Sequence, residues 1–370
     1  MTAATLALEP NAEPTVTPTT RRGTRTDASP RRPAAREGVV TLDARWPLTH
    51  GGTLDGAVVA YRLYDLGDDD RRPAVVVLGG ISAGRHATAS ADDPTPGWWE
   101  PIVGAGRAVD TTRYRVLSLD YVGGSGRSTG PRRPAVWRRD GCLSDAPFPV
   151  IDTRDQARAL VAVLDQLGVA RLHAIVGSSY GGMVALALGD THADRFERAV
   201  VISAAHEAHP MATALRSVQR EVVRLGLETG RSRDAIRLAR GLAMTTYRTA
   251  EEFADRFAGA PDWTPGGPRF PVQAYLDAHG ERFADAFSPA SFLCLSESID
   301  LHRIDPTRLT RPTTLVAVES DVLVPTWQMR ALRDALRAPV AFHEIASRYG
   351  HDAFLKEVDA VSAIVREALG

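Results

Sequence analysis

The sequence predicts an α/β fold with a mostly parallel central sheet, flanking helices and a helical cap insertion. Short apolar runs of strand length alternate with amphipathic helical patterns along most of the chain. One stretch of about a hundred residues, 204–305, interrupts this alternation and has a helical pattern throughout. With 370 residues, 44% of them hydrophobic, the chain is long enough to bury a large core.

Seven short apolar runs predict the strands of the sheet. Several are apolar on both faces, which is typical of parallel strands covered by helices on both sides. The predicted strands are Ala57–Leu63, Ala74–Leu78, Arg115–Leu119, Leu172–Val176, Ala199–Ile202, Thr313–Val318 and Ala341–Ile345.

Helical spacing of apolar residues predicts two groups of helices. The first group alternates with the strands and comprises Thr153–Leu167, Tyr180–Gly189, Trp327–Leu336 and Ala353–Leu369. The second group fills the insertion, where no convincing strand is expected, and comprises Met211–Leu225, Arg233–Thr245, Ala250–Phe257, Val272–Phe283 and Pro289–Ser298. A helical insertion between two strands of a sheet is suited to cover a site at the sheet edge.

These patterns divide the chain into three parts. Residues 1–38 are rich in Thr, Pro, Ala and Arg without apolar periodicity, so we expect a disordered tail. Residues 39–203 and 306–370 are predicted to form the catalytic α/β domain, and residues 204–305 the helical cap.

Composition excludes several classes of protein. The formal net charge of −1 removes the general attraction to nucleic acid, and no segment has the apolar length that spans a bilayer. Without a secretory signal pattern, the expected location is the cytoplasm. The two cysteines are too few for a disulfide framework, and nothing in the sequence calls for a metal or a bound cofactor.

The sequence Gly177-Ser178-Ser179-Tyr180-Gly181 lies between an apolar run and a helical pattern. In the nucleophile elbow of α/β-hydrolase folds, a strand turns so sharply into a helix that the residues two before and two after the nucleophile must be small. Gly177 and Gly181 meet this requirement, so Ser179 is the predicted nucleophile.

A serine hydroxyl needs a base, and the base needs a partner that fixes its tautomer. Asp321 follows one predicted strand and His351 follows the last one, in the chain order Ser, Asp, His that this fold uses. Either residue alone also fits an ordinary polar loop position. Together with Ser179 they predict a catalytic triad at the carboxyl ends of the strands.

Acyl transfer also requires backbone N–H groups directed at the oxyanion of a tetrahedral intermediate. Tyr180, directly after the nucleophile, is expected to supply one N–H. The loop Gly79-Gly80-Ile81-Ser82 follows a predicted strand, and we expect the Ile81 N–H to supply the other. An ordinary tight turn is the alternative for the two glycines.

Five further segments carry a more specific resemblance. They are Gly97-Trp-Trp-Glu, the run Val103–Tyr114, the run Gly123–Pro131, the run Ala239–Arg248 and Tyr349-Gly-His-Asp-Ala-Phe354. In this order they resemble the homoserine O-acetyltransferase family, and the similarity extends from about residue 45 to the C-terminus.

The resemblance implies a ping-pong enzyme of methionine biosynthesis. It would transfer an acyl group from acyl-CoA to Ser179 and then to the hydroxyl of homoserine, with acyl-CoA as substrate and no bound cofactor. The resemblance also implies a homodimer. The residues implied to hold the amino-acid substrate are Arg240, Tyr247 and Asp352.

The chain departs from the family pattern at Asp120–Ser125 and at Tyr180, which leaves the acyl donor and the acceptor open. Arg85 and His86 are candidates to pair with a succinyl carboxylate. Where succinyl-type relatives have an arginine after the catalytic aspartate, this chain has Leu323, so we favour acetyl. Serine stays open as acceptor, because one methylene changes affinity by only about 1–3 kcal/mol.

Two other classes fit the same pattern. A serine esterase or thioesterase would differ only in admitting water to the acyl-serine. A binding protein with the hydrolase fold would keep the pocket without turnover.

Overall fold

The structure is a computed structural model that describes residues 32–67, 70–131, 137–139, 142–144 and 148–370, without the side chains of 137–139 and 142–144. Residues 1–31 of the predicted tail and the side chain of Cys142 lie outside this description.

The described residues form an eight-stranded sheet, and we number its strands in chain order. They are β1 (Arg36–Thr41), β2 (Val58–Tyr64), β3 (Ala74–Leu78), β4 (Arg115–Leu119), β5 (Leu172–Ser178), β6 (Phe196–Ile202), β7 (Thr313–Val318) and β8 (Val340–Ile345). Their spatial order is β1-β2-β4-β3-β5-β6-β7-β8. Strands β3 to β8 pair in parallel, whereas β2 pairs antiparallel with both of its neighbours, β1 and β4, at one edge.

The described helices lie on both faces of this sheet and in the insertion. They are α1 (Thr153–Gln166), α2 (Tyr180–Thr191), α3 (Pro210–Glu228), α4 (Ser232–Tyr247), α5 (Ala250–Phe257), α6 (Pro271–Ala286), α7 (Pro289–Leu301), α8 (Thr326–Ala335), α9 (Ala353–Lys356) and α10 (Val358–Leu369). Strand β3 is buried along its whole length, because Val76 and Leu78 belong to one hydrophobic cluster and Val75 and Val77 to another. The predicted mostly parallel α/β fold is confirmed.

The insertion between β6 and β7 holds α3 to α7, with α3 packed on α4 and α7, and α4 packed on α6. It also contains a two-stranded hairpin, Asp262–Thr264 with Gly267–Arg269, where no strand was expected. These strands are mostly exposed and include Pro268, so they lack the apolar alternation from which a strand is predicted.

Two predicted boundaries need correction. Strand β1 begins at Arg36, inside the predicted tail, because pairing with β2 satisfies its backbone. The predicted helix Ala353–Leu369 is divided at Glu357, which leaves helical geometry with φ −85° and ψ 59°.

Three more short pairs of strands are Arg45–Pro47 with Thr53–Asp55, Val103–Gly104 with Val109–Asp110, and Trp137–Arg139 with Cys142–Ser144.

Among the described residues, no helix combines the length and the apolar character needed to cross a membrane. The same part of the chain contains no cluster of three or more His, Cys, Asp or Glu residues that could hold a metal ion.

The start of α1 is held by two buried carboxylates. Asp152 caps the helix by accepting from the Arg154 N–H at 2.7 Å, and Asp155 accepts from the Asp152 N–H at 2.8 Å. Asp155 also accepts from the N–H of Thr49 at 2.9 Å, which connects α1 to the loop between the short strands Arg45–Pro47 and Thr53–Asp55. This carboxylate therefore satisfies two backbone donors, of which the Asp152 N–H is buried away from water and the Thr49 N–H is partly buried.

We expect Asp155→Ala to lower the free energy of unfolding by about 2–3 kcal/mol, because it leaves the buried Asp152 N–H without a partner and removes the acceptor of the Thr49 N–H. Denaturant titration measures this change. The matched control is Asp165→Ala on the same helix, whose exposed side chain pairs with Arg195 and whose loss should cost less than about 1 kcal/mol. Equal midpoints for the two variants would contradict the role given to Asp155.

Candidate active site

Ser179 lies in the turn between β5 and α2 and has the left-handed backbone angles φ 52° and ψ −123°. Such a conformation is strained for a residue with a side chain and is held by its surroundings. A methyl group on Gly177 would lie 2.2 Å from the Gly181 carbonyl oxygen, and one on Gly181 would lie 2.3 Å from the Leu78 carbonyl oxygen. Both glycines are thus required by close backbone contact, which keeps the Ser179 hydroxyl at the tip of the turn.

A chain of hydrogen bonds connects Ser179, His351 and Asp321. The His351 Nε2 lies 2.8 Å from the Ser179 Oγ, and its Nδ1 lies 2.7 Å from the Asp321 Oδ2. Because a carboxylate only accepts, Nδ1 carries the hydrogen and Nε2 is left to accept from the serine. The other Asp321 oxygen accepts the N–H groups of Leu323 and Val324 at 2.9 and 3.0 Å, which fixes the carboxylate.

Burial and nearby charges have opposite effects on the pKa of His351. Burial alone would lower the pKa of this imidazole, but the charge and hydrogen bond of Asp321, together with the charge of Asp352, raise it above its usual value. The positive charge of Arg216 acts in the opposite direction. His351 is therefore a stronger base than an isolated histidine and is suited to accept the serine proton.

The predicted oxyanion donors lie on two segments joined by a backbone hydrogen bond. The Gly181 N–H donates to the Gly79 carbonyl at 2.9 Å, so the loop after β3 is held against the first turn of α2. Ile81, in this loop, lines the same cavity as Ser179. Tyr180 is the first residue of α2, where an N–H has no acceptor within the helix.

The side chain of Tyr180 has a separate, structural position. It is buried, and its hydroxyl lies 2.7 Å from the Ser298 Oγ of α7 and accepts from the Gln156 Nε2 of α1 at 3.3 Å. Burial raises the pKa of this phenol, so it stays neutral. Where the family pattern has Met, this tyrosine therefore connects the α/β domain with the cap.

The cap closes over Ser179 and forms an enclosed cavity with it. Apolar residues from the cap and from the loop after β7 line part of this cavity, among them Leu215, Phe292, Ile299 and Leu323. Among the polar residues of the lining are Ser203, Glu207 and Arg216, which no sequence motif indicated.

Only one of the residues implied to hold the amino acid lines this cavity. The ring of Tyr247 lies there, with its centroid 5.8 Å from that of His351. Arg240 and Asp352 instead line a neighbouring cavity of about 290 Å³. The Arg240 guanidinium packs against two aromatic rings, at 5.1 Å from the centroid of Tyr247 and 5.0 Å from that of Phe283. Asp352 accepts from the Arg248 Nε at 3.0 Å.

Known proteins match this chain over most of its length. A family profile for the alpha/beta hydrolase fold matches residues 73–358. A homoserine O-succinyltransferase of Xanthomonas campestris pv. campestris is 43% identical over 91% of this chain and 85% of its own length. An L-serine/homoserine O-acetyltransferase of Streptomyces lavendulae is 35% identical, over 88% of this chain and 95% of its own.

The chain belongs to the homoserine O-acetyltransferase family, which has the alpha/beta hydrolase fold. A solved homoserine O-acetyltransferase from Bacillus anthracis has the same fold, with a TM-score of 0.80, 19% sequence identity, and coverage of 91% of this chain and 98% of its own. Because the relatives that match most of its length are O-succinyl- and O-acetyltransferases, the protein is an acyltransferase with the α/β-hydrolase fold, as its motifs predicted.

The residues selected as candidates for donor selectivity are mostly placed elsewhere in this acyltransferase. Arg85 donates to Asp120 at 2.7 Å and to Glu37 of β1 at 3.1 Å, so two of the candidates pair with each other. His86 donates through Nε2 to the Thr95 carbonyl at 2.8 Å. Of the four candidates, Leu323 is the one that lines the Ser179 cavity. Arg85 is already neutralised, which argues against its pairing with a substrate carboxylate.

Two signals in the sequence of the acyltransferase point to the residues that were missed. Ser203 and Glu207 follow β6, so the rule that sites gather at the carboxyl ends of parallel strands applies to them as well. Arg216 and Arg220 lie one turn apart on α3, and Arg220 is on its buried face. Arginine on the core face of an amphipathic helix is uncommon without a partner or a ligand.

We expect the pH dependence of Ser179 reactivity to follow His351. Neutral His351 is the active form, so the rate of fluorophosphonate labelling should fall as the pH drops through a midpoint above 6.5. Asp321→Asn should lower the plateau rate about 10³- to 10⁴-fold, because an amide that donates to Nδ1 forces the tautomer that cannot accept the serine proton.

The matched control is Asp352→Asn. The Asp352 carboxylate raises the pKa of His351 through its charge and does not hydrogen-bond to the imidazole in this structure. The labelling rate of this variant should stay within about tenfold of the wild type, and its midpoint should shift slightly to lower pH because one nearby negative charge is lost. A labelling rate of Asp321→Asn equal to that of the wild type would contradict the role given to the hydrogen bond between Asp321 and His351.

Proposed function

We propose that this enzyme transfers an acyl group from acyl-CoA to the hydroxyl of homoserine through an acyl-Ser179 intermediate. The observation that carries this proposal is the hydrogen-bonded chain from Ser179 through His351 to Asp321, enclosed by the cap. The product would be an O-acylhomoserine, which accords with a place in methionine biosynthesis.

In the first half-reaction, the Ser179 Oγ attacks the thioester carbonyl while the His351 Nε2 takes its proton. The oxyanion of the tetrahedral intermediate accepts from the N–H groups of Ile81 and Tyr180. The carbon–sulfur bond then breaks, and His351 returns the proton to the thiolate, so that free CoA leaves. Asp321 stabilises the imidazolium throughout.

In the second half-reaction, the homoserine hydroxyl gives its proton to His351 and attacks the acyl-serine ester. The new ester forms, the bond to the Ser179 Oγ breaks, and the serine recovers its proton from His351. The same base thus serves both halves, and only the leaving group and nucleophile change.

Exclusion of water distinguishes this reaction from hydrolysis by an esterase. The cap encloses the cavity around Ser179, which limits the access of bulk water to the acyl-serine. The two curated relatives described above are named as transferases, which supports the same choice.

The names of those two relatives differ in the acceptor and in the acyl group. Their names give homoserine for one, and serine or homoserine for the other, with succinyl and acetyl groups respectively. For the acceptor we propose homoserine, held by Tyr247 in the Ser179 cavity and by Arg240 and Asp352 beyond it. Because Arg248 already bonds one Asp352 oxygen, the other oxygen would receive the substrate ammonium. The cytoplasmic location and the homodimer stay predictions.

We expect acyl-CoA to release free CoA in proportion to added homoserine, with O-acylhomoserine as product by mass spectrometry. Acetyl-CoA and succinyl-CoA are to be tested against both homoserine and serine. Ser179→Ala should lower the rate by more than about 10³-fold, because no other group can carry the acyl intermediate. The serine acceptor should react about 10- to 200-fold more slowly.

The matched control is Ser178→Ala, the neighbouring serine, whose buried Oγ has no hydrogen-bond partner among the described residues. It should retain activity within a few-fold. CoA release that does not depend on any amino-acid alcohol would indicate a thioesterase and contradict the transferase proposal. Absence of both turnover and fluorophosphonate labelling would indicate a binding protein.

A further inference from the structure

The cap holds two arginines against a single carboxylate. The Arg216 Nε donates to the Asp300 Oδ1 of α7 at 2.7 Å, and the Arg220 Nη1 donates to the Oδ2 at 2.5 Å. All three side chains are mostly buried, with exposed fractions of 13%, 10% and 10%. The cluster therefore carries one positive charge in excess, in a place where water screens it little.

The other acidic groups nearby are already engaged. Glu297 of α7 accepts from Arg224, which also pairs with Glu221. Glu207 lines the Ser179 cavity, but its side chain is 43% exposed and lies near Arg303. The excess charge of the cluster is thus not balanced by these carboxylates.

The excess charge faces the reaction centre. Arg216 lines the Ser179 cavity, and among the described residues that line it no other arginine or lysine occurs. Because Arg216 bonds Asp300 through Nε and Nη2, its Nη1 is left to donate to a ligand.

A second polar group faces the same cavity. The Ser203 side chain lines it, is 1% exposed, and its Oγ has no hydrogen-bond partner among the described residues. Ser203 also has a left-handed φ of 49°, the only such residue besides Ser179 among the described non-glycine residues. A buried hydroxyl without a partner, on a strained backbone, is typical of a group that bonds a ligand.

We infer that Arg216 and Ser203 bind the free carboxylate of a dicarboxylic acyl group, so that the acyl donor is a succinyl-type thioester. This inference rests on the proposed function, since it concerns the acyl group carried by Ser179. That group occupies the Ser179 cavity in both half-reactions, whereas the acceptor enters only for the second. An acetyl group carries no charge and would leave the excess positive charge of the Arg216, Arg220 and Asp300 cluster unbalanced. The donor therefore differs from the acetyl group that the sequence favoured.

The first half-reaction, measured without acceptor, tests the inference. The burst of CoA release is compared for succinyl-CoA, acetyl-CoA and butyryl-CoA, the last having the chain length of succinyl without its carboxylate. The wild type should react with succinyl-CoA at least about 30-fold faster than with butyryl-CoA. Arg216→Gln should lower the rate with succinyl-CoA about 30- to 100-fold and change the rates with the neutral donors less than about fivefold.

Two further variants and one control accompany this comparison. Arg216→Lys should recover part of the preference for succinyl-CoA, and Ser203→Gly, which suits the left-handed backbone, should lower it about fivefold. Arg216→Gln leaves Arg220 and Asp300 as a balanced pair, so it should fold, as a thermal melt would verify. Arg224→Gln, on the exposed side of the same helix, should retain the wild-type preference.

Several outcomes would overturn the inference. A wild-type preference for acetyl-CoA would do so while leaving the proposed function intact. An equal loss with all three donors in Arg216→Gln would show a structural role only. An unchanged succinyl burst combined with a raised KM for homoserine would assign the carboxylate to the acceptor. CoA release from none of the donors in the wild type would instead overturn the proposed function.

Discussion

The left-handed turn at Ser179 is the constraint on which the rest of the site depends. The turn exists because Gly177 and Gly181 allow backbone contacts that any Cβ would block, at 2.2 and 2.3 Å. By ending β5 and starting α2 within one residue, it presents the hydroxyl to His351 and leaves the first N–H of α2 without a helical acceptor. The energy of the strained backbone is compensated by the packed strands and helix around it.

The cap contributes electrostatics as well as enclosure. Asp321 and Asp352 raise the pKa of His351, whereas Arg216 of the cap opposes them. The pKa of His351 therefore depends on charges from both the α/β domain and the cap. The hydrogen bond between the Tyr180 hydroxyl and Ser298 helps to hold these two parts together. A change in the cap would thus alter proton transfer at Ser179 as well as substrate fit.

Elements that bury apolar surface could be predicted from the sequence. Elements that are mostly exposed could not be predicted. Strands β3, β4 and β7 agree with their predicted bounds because each is an apolar run between turns. The cap hairpin at Asp262–Thr264 carries no such pattern because it is exposed. Strand β1 was not predicted, because most of its residues are exposed and its pairing with β2 is a tertiary contact.

The sequence by itself determined the α/β fold, the family and the chain order of Ser179, Asp321 and His351, because these follow from local patterns and motif spacing. The tertiary structure decided which charged groups meet. It paired Arg85 with Asp120, placed Arg240 beyond Tyr247, and brought Arg216 to the Ser179 cavity. The reason is physical: the partner of a long charged side chain depends on how helices pack in space, and neighbours in sequence do not specify that packing.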